Sequence, residues 1–295
     1  MANEITEAFA QQYADNFLLV SQQKKSRLEQ FVRVDSGIVG ASKTVERMGS
    51  VSAVLRTTRH GDSPIVDTPF SRRWVDLADY EWGDIVDDQD KIRLMTDPTS
   101  SVVATGVAAL QRAKDSVIIA AARGSARVGT GSSATTTALP SGQKIAHGSA
   151  GMTLAKLITA RGLLGRAEAY NADDPNDQLV MVCSMEQIEN MLNITNITSA
   201  DYNSVKALMT GTIDTFMGFK FVITQLLPKV AYERYCLAFV KSGLVLGVGQ
   251  DVKTKVSERP DKSFNVYAYA SMSLGAVRTE EEKVVEISCN EVVSA

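Results

Sequence analysis

Few side chains in this chain are suited to chemistry at neutral pH. There are two histidines, His60 and His147, and three cysteines, Cys183, Cys236 and Cys289. A histidine works as a general base or a metal ligand when a nucleophile or further ligands stand beside it. His60 lies in the polar knot Arg56-Thr57-Thr58-Arg59-His60-Gly61-Asp62 and His147 in a Gly/Ser-rich turn, and no nucleophile signature accompanies either. The cysteines are odd in number and far apart, which suits neither a disulfide framework nor zinc-ligand spacing. Cys183 ends the apolar run Gln178-Leu-Val-Met-Val-Cys183 and reads as a small core residue. No H-E-x-x-H, G-x-S-x-G or paired-cysteine motif is present. The expectation is a protein with no catalytic residues, metal or cofactor. An α/β enzyme with an unfamiliar site remains an alternative.

Charged clusters offer binding chemistry instead. Arg56, Arg59, Arg72 and Arg73 share one segment with Asp62, Asp67, Asp76 and Asp79. Four arginines could face phosphate, but alternation with aspartates points to ion pairs between strands or between subunits. The run Glu81 to Lys91 is the most acidic stretch. A calcium loop needs oxygen ligands at alternate positions, a central glycine and a closing glutamate, and this run meets none of these. It reads as a solvated acidic turn. Gly129, Gly131 and Ser132 open a loop of small residues, but the closing Lys-Ser/Thr pair of a phosphate loop is missing.

The elements that must carry these residues follow from periodicity. Residues 4–30 read as a helix with a weak stripe of Phe9, Tyr13, Phe17, Leu18 and Leu28. Residues 31–80 alternate as strand, turn and strand with few strongly apolar residues, which suggests a protruding hairpin. Open strand edges normally lie on something, often another subunit. Asp97-Pro98 then reads as the start of a long helix to about Ala126. At 1.5 Å per residue it would run roughly 40 Å. Val103, Val107, Leu110, Val117 and Ala121 form its apolar stripe, and Arg112, Lys114 and Asp115 mark the polar side. Thr153 caps a helix from Leu154, residues 178–183 form a buried strand, and Ser184 caps a helix from Met185 to Leu192. From Arg234 onward the chain is β-rich, ending in a strand at Val284–Ile287.

Bulk properties bound the class. The chain has 295 residues, 44% hydrophobic and 22% charged, with a net charge of −3. That suits a globular protein with a real core and gives no bulk electrostatic attraction to nucleic acid. No apolar run reaches membrane-spanning length, and the first residues lack the pattern of a signal peptide. A reducing, cytoplasmic setting is expected.

One combination of features then carries a resemblance. A helical arm leads into an extended hairpin, and Asp87-Asp88-Gln89-Asp90-Lys91 precedes a very long Ala/Val-rich helix. A central α/β region contains Gly-x-Ile-x-x-Phe-Met-Gly-Phe at 211–219, and long strands close the chain. This order resembles a major capsid protein of tailed bacteriophages, the shell fold shared with encapsulins. The resemblance implies an α+β fold with an N-terminal arm (1–35) and an extended loop (36–80). A peripheral domain would begin at 81–149 with a long spine helix, an axial domain would span 150–240, and closing strands (241–295) would return to the peripheral domain.

It also implies a function. The chain would self-assemble as hexamers and pentamers into an icosahedral shell around the phage double-stranded DNA, inside the host bacterial cytoplasm. A portal protein, a separate scaffold protein and a decoration protein are the implied partners, with DNA contacted without sequence readout and no membrane involved. An encapsulin-like shell around enzyme cargo is the alternative. Arg56, Arg59, Arg72, Arg73, Asp62 and Asp67 become intersubunit candidates, and Val107, Leu110 and Val117 the core of the spine helix. Some family members join the loop to a neighbour through a lysine–asparagine bond. No lysine stands between Lys43 and Lys91 here, so noncovalent contacts are expected to hold the shell.

Overall fold

The computed structural model describes residues 22–59, 61–86, 99–130, 134–171, 174, 177–192 and 215–291. The expected helix before residue 22, His60, the acidic run 87–91, the Asp97-Pro98 helix start and residues 193–214 lie outside the described residues.

Among the described residues the chain is mixed α+β, with three sheets and three α-helices. The first sheet has the order β1 (Arg33–Ser36), β13 (Leu244–Arg259), β14 (Asn265–Arg278), β4 (Ala78–Val86). The second runs β7 (Lys144–Ile145), β15 (Val284–Asn290), β12 (Glu233–Val240), β8 (Leu179–Cys183), β10 (Phe219–Ile223), β9 (Thr215–Phe216), with β11 (Lys229–Val230) also on β12. The third joins β2 (Ser42–Met48), β3 (Phe70–Asp76), β5 (Ala126–Val128) and β6 (Thr135–Thr137). Leu-Val-Met-Val-Cys of β8 is buried at every position, because it lies between β10 and β12 in the middle of the second sheet. That is why its sequence is continuously apolar rather than alternating.

Helix α1 (Thr99–Arg123) lies chiefly on β14, with β4 and β13 to either side. Gly106 lets it approach closely. A Cβ there would meet the Trp82 ring of β4 at 2.1 Å, which accounts for a helix-weakening glycine in this position. Helix α2 (Leu154–Arg166) begins as expected, with the Thr153 side chain accepting the Lys156 N–H. Helix α3 (Met185–Leu192) begins at Ser184, whose N–H donates to Gln187 Oε1 at 2.8 Å. Both are side-chain caps of orphan helix-start groups. One continuous core joins the three helices to the second sheet and the inner face of the first.

Two expectations need correction. Residues 22–28 are irregular and lead into a single 3₁₀ turn at Glu29–Phe31, not into the end of a helix. The buried line of α1 is also rotated from the expected stripe. Leu110 is 3% exposed, but Val107 and Val117 are only half-buried, and the buried line runs through Ala108, Ile118, Ile119 and Ala122. Lys114 and Asp115, expected on the solvent side, are 2% and 0% exposed. The cause is segment 22–31, which lies across that side of α1, so the helix is buried on two faces. The closing strands part company. β13 and β14 stay in the first sheet, while β15 pairs along β12 in the second.

Candidate functional site

The surface that stands out is the excursion between β2 and β3. The two strands pair from Ser42↔Asp76 to Met48↔Phe70, and Gly49 N–H donates to Pro69 O at 2.8 Å to close the ladder. Beyond it the described residues from 50 to 67 are exposed and hold no regular structure. Several are large and apolar: Val51, Val54, Leu55, Ile65 and Val66, with Met48 and Phe70 at the base. Leu55 is 84% exposed and Ile65 95%. Large apolar side chains left exposed together in one excursion mark an interaction site.

The intersubunit candidates divide along this hairpin. Arg56, Arg59, Asp62 and Asp67 lie on the exposed outer part and form no ion pair among the described residues. Arg56 folds back on the turn, its Nε donating to Thr58 O at 3.0 Å and its Nη2 to Arg59 O. Arg72 pairs with Glu46 on the neighbouring strand at 2.6 Å, an exposed contact worth little by itself. Arg73 points inward. It is 4% exposed, its Nη2 reaches both Glu281 oxygens at 2.7 Å, and its Nε donates to Thr279 O at 3.1 Å. Within its own chain it is therefore an anchor for the hairpin base, not a surface charge.

That anchor continues into the end of α1. Arg278, fully buried at the end of β14, donates to the carbonyls of Ala122 and Gly124 at 2.9 and 2.8 Å and to Thr137 O at 3.1 Å. The last carbonyls of a helix lack partners and carry partial negative charge, so a guanidinium satisfies them both chemically and electrostatically. Glu281 lies 3.8 Å from Arg278 Nε. Burial pushes the pKa of Arg73 and of Arg278 down, and Glu281 opposes this in both. Breaking such a buried arrangement at one partner leaves an uncompensated charge, which is its chief energetic consequence.

A second anchor holds the N-terminal segment. The buried Asp115 carboxylate accepts Ser26 Oγ at 2.5 Å and the N–H groups of Arg27 and Leu28 at 3.0 and 3.2 Å. Lys114 Nζ lies 2.9 Å from Glu29 and 3.4 Å from Asp251. Arg112 donates to Gln22 Oε1 at 2.7 Å. A third cluster fixes the other end of the described chain. Glu291 meets Arg234 Nε at 2.5 Å, Lys229 Nζ at 2.7 Å and Gln187 Nε2 at 2.6 Å. Burial raises the Glu291 pKa, but these hydrogen bonds outweigh it and hold the carboxyl at about 2.

Sequence reasoning missed Asp115, Lys114, Arg278, Glu281 and Glu291. For the first two a signal existed. Leu110, Lys114 and Ile118 are spaced by four, as are Asp115 and Ile119, so both charges share a line with core residues. Arg278 and Glu281 stand three apart, but Arg73 and the helix end that they hold, like the partners of Glu291, are distant in sequence and left no local pattern.

Among the described residues the histidine and cysteine side chains do not meet in a catalytic arrangement. The three cysteines are buried, and burial pushes the Cys183 thiol far up, away from a reactive thiolate. His147 Nε2 lies 3.0 Å from Glu233, and its Nδ1 accepts the Ser149 N–H at 2.9 Å, so both ring nitrogens are in use. Among the described residues no group of three His, Cys, Asp or Glu side chains could hold a metal ion.

Comparison with known proteins places this arrangement. The capsid of Ralstonia phage GP4 superposes with a TM-score of 0.74 at 11% identity, covering 97% of this chain and 96% of that one. The capsid of cyanophage P-SCSP1u gives 0.70 at 16% identity, over 99% and 96%. That of cyanophage Pam1 gives 0.70 at 10% identity, over the full length of both. At such identities the likeness is one of fold. No curated protein matches the sequence. The family model described as phage capsid protein matches residues 5–291, and the chain belongs to that family.

Proposed function

We propose that this chain is the major shell-forming subunit, assembling as hexamers and pentamers into an icosahedral capsid around double-stranded phage DNA. Family membership supports the reading, and the observation that carries it is the hairpin. Its exposed apolar residues make no sense in a monomer, yet its base is held rigidly by Arg73 and Glu281. A rigid base aims a sticky tip at a neighbour, and each subunit then completes a core that the next one shares. In this layout residues 1–35 are the N-terminal arm and 36–80 the extended loop. α1 is the spine helix of a peripheral domain that begins in 81–149, residues 150–240 form the axial domain, and strands within 241–295 close the subunit. The protein acts by assembly rather than catalysis, and noncovalent contacts hold the shell, because no lysine stands between Lys43 at the hairpin base and Lys91.

The test is deletion of residues 57–68. The described residues of this stretch, apart from the half-buried Thr68, are exposed. The shortened protein should stay folded and soluble but form no closed particles on sedimentation. Normal particles from it would remove the hairpin from the assembly contacts and, with it, the main support for the proposal.

A further inference from the structure

The hairpin is not the only unsatisfied surface. Among the described residues the first sheet ends in two free edges. β1 covers only Val245–Val248 of β13, so β13 from Gln250 to Arg259 pairs with β14 alone. On the far side β4 also pairs only with β14. Among the described residues each edge therefore leaves a row of main-chain N–H and C=O groups without partners in the sheet.

The side chains on these edges carry opposite charge. The register sets Lys253 opposite Ser271, and Ser271 opposite Glu81. Lys255 is likewise opposite Tyr269, and Asp79 opposite Ser273. All these residues share one face of the sheet, because side chains two apart on a strand point the same way. That face is the one turned away from α1, since the alternate β14 residues Ala268, Ala270 and Met272 are buried. Lys253, Lys255, Asp79 and Glu81 are exposed, and none forms an ion pair among the described residues. Between the edges, Tyr267 and Tyr269 stack with centroids 6.1 Å apart. Gly83 leaves room for Tyr267 to lie flat, since a Cβ there would meet its hydroxyl at 2.1 Å.

Proteins often protect strand edges with charge, which works by like-charge repulsion between copies. Opposite charges on the two edges do the reverse. They repel edges of the same kind and attract edges of different kinds. We propose that the lysine edge of β13 docks against the acidic edge of β4 in a second copy of this chain. The contact is head-to-tail, so every subunit uses both edges, and such contacts close into rings when the rotation allows. It places Lys253 and Lys255 beside Asp79 and Glu81 of the neighbour as cross-strand pairs. This rests on the shell reading above but involves a surface separate from the hairpin.

The experiment has two arms. In the first, particles are assembled from a mixture of ¹⁴N and ¹⁵N wild-type protein and treated with a carbodiimide, which joins a lysine to a touching carboxylate. A cross-linked peptide joining Lys253 or Lys255 to Asp79 or Glu81, with one half light and the other heavy, is expected. Its absence from intact particles overturns the edge contact and leaves the shell reading standing, whereas wild-type protein that forms no particles defeats both. In the second arm, Lys253→Glu with Lys255→Glu, and separately Asp79→Lys with Glu81→Lys, each set like charges together and should lower particle yield by about tenfold or more. Combining all four changes inverts both edges and should restore assembly. Unchanged yield from either single-edge variant, or a soluble, folded four-fold variant as poor as the two single-edge ones, contradicts the proposal.

Discussion

The Glu291 cluster offers a measurable consequence of the packing within one subunit. Its side chain is 7% exposed and is held by Arg234, Lys229 and Gln187, which keep the carboxyl at about 2 against an ordinary 4.5. At about 1.36 kcal/mol per pH unit, that depression corresponds to roughly 3 kcal/mol of stability. A carboxylate whose pKa is lowered by folding stabilises the native state above its unfolded value. That contribution is lost as the pH falls through the window from 4.5 towards 2. Glu291→Gln keeps the shape but removes the charge, and it leaves the buried Arg234 guanidinium without its main counter-charge. Urea unfolding of the unassembled subunit should show the variant less stable by about 2–3 kcal/mol near pH 7, with the gap narrowed to under about 1 kcal/mol by about pH 2.5. A gap of equal size at both pH values would refute the argument, because it would trace the loss to shape rather than charge.

The interior of α1 is tested by Leu110→Asp, since Leu110 is 3% exposed in the main core. Losing a buried leucine costs about 2–5 kcal/mol and an unpaired buried charge adds to it, against native stabilities of about 5–15 kcal/mol. The variant should aggregate or misfold, and a soluble product with wild-type circular dichroism contradicts the burial assigned here. Asp115→Ala strips the acceptor from Ser26 Oγ and from the N–H groups of Arg27 and Leu28. Each buried donor left unpaired costs about 1–3 kcal/mol, so segment 22–31 should detach and trypsin should cut after Lys25 or Arg27 markedly faster. Cleavage at the wild-type rate would show that the segment is held by something else.

The sequence was most readable where structure is local. The long helix, the caps at Thr153 and Ser184, the buried β8 strand and the β2–β3 hairpin all follow from periodicity or short-range signals. What escaped depends on contacts across the chain. Asp115 looks like a solvent-facing charge until residues 26–28, 87–89 positions away, come to lie on it. Arg73 looks like one of four similar arginines, and only Glu281, distant in sequence, separates it from Arg72. The placement of β15 in the second sheet likewise follows from pairing with β12 that no local pattern announces. The hairpin's importance was legible for a different reason. A stretch with too few apolar residues to fold alone, yet with Leu55 and Ile65 among them, points outward to a partner.

The central claim is that this subunit builds a closed shell by laying its hairpin on a neighbouring copy. Electron microscopy of the purified wild-type protein, carried to a resolution that traces the chain, tests it most directly. The account predicts icosahedral particles in which Leu55 and Ile65 of each subunit are buried against an adjacent one. Soluble monomers, or particles in which residues 50–67 project freely into solvent, would contradict it.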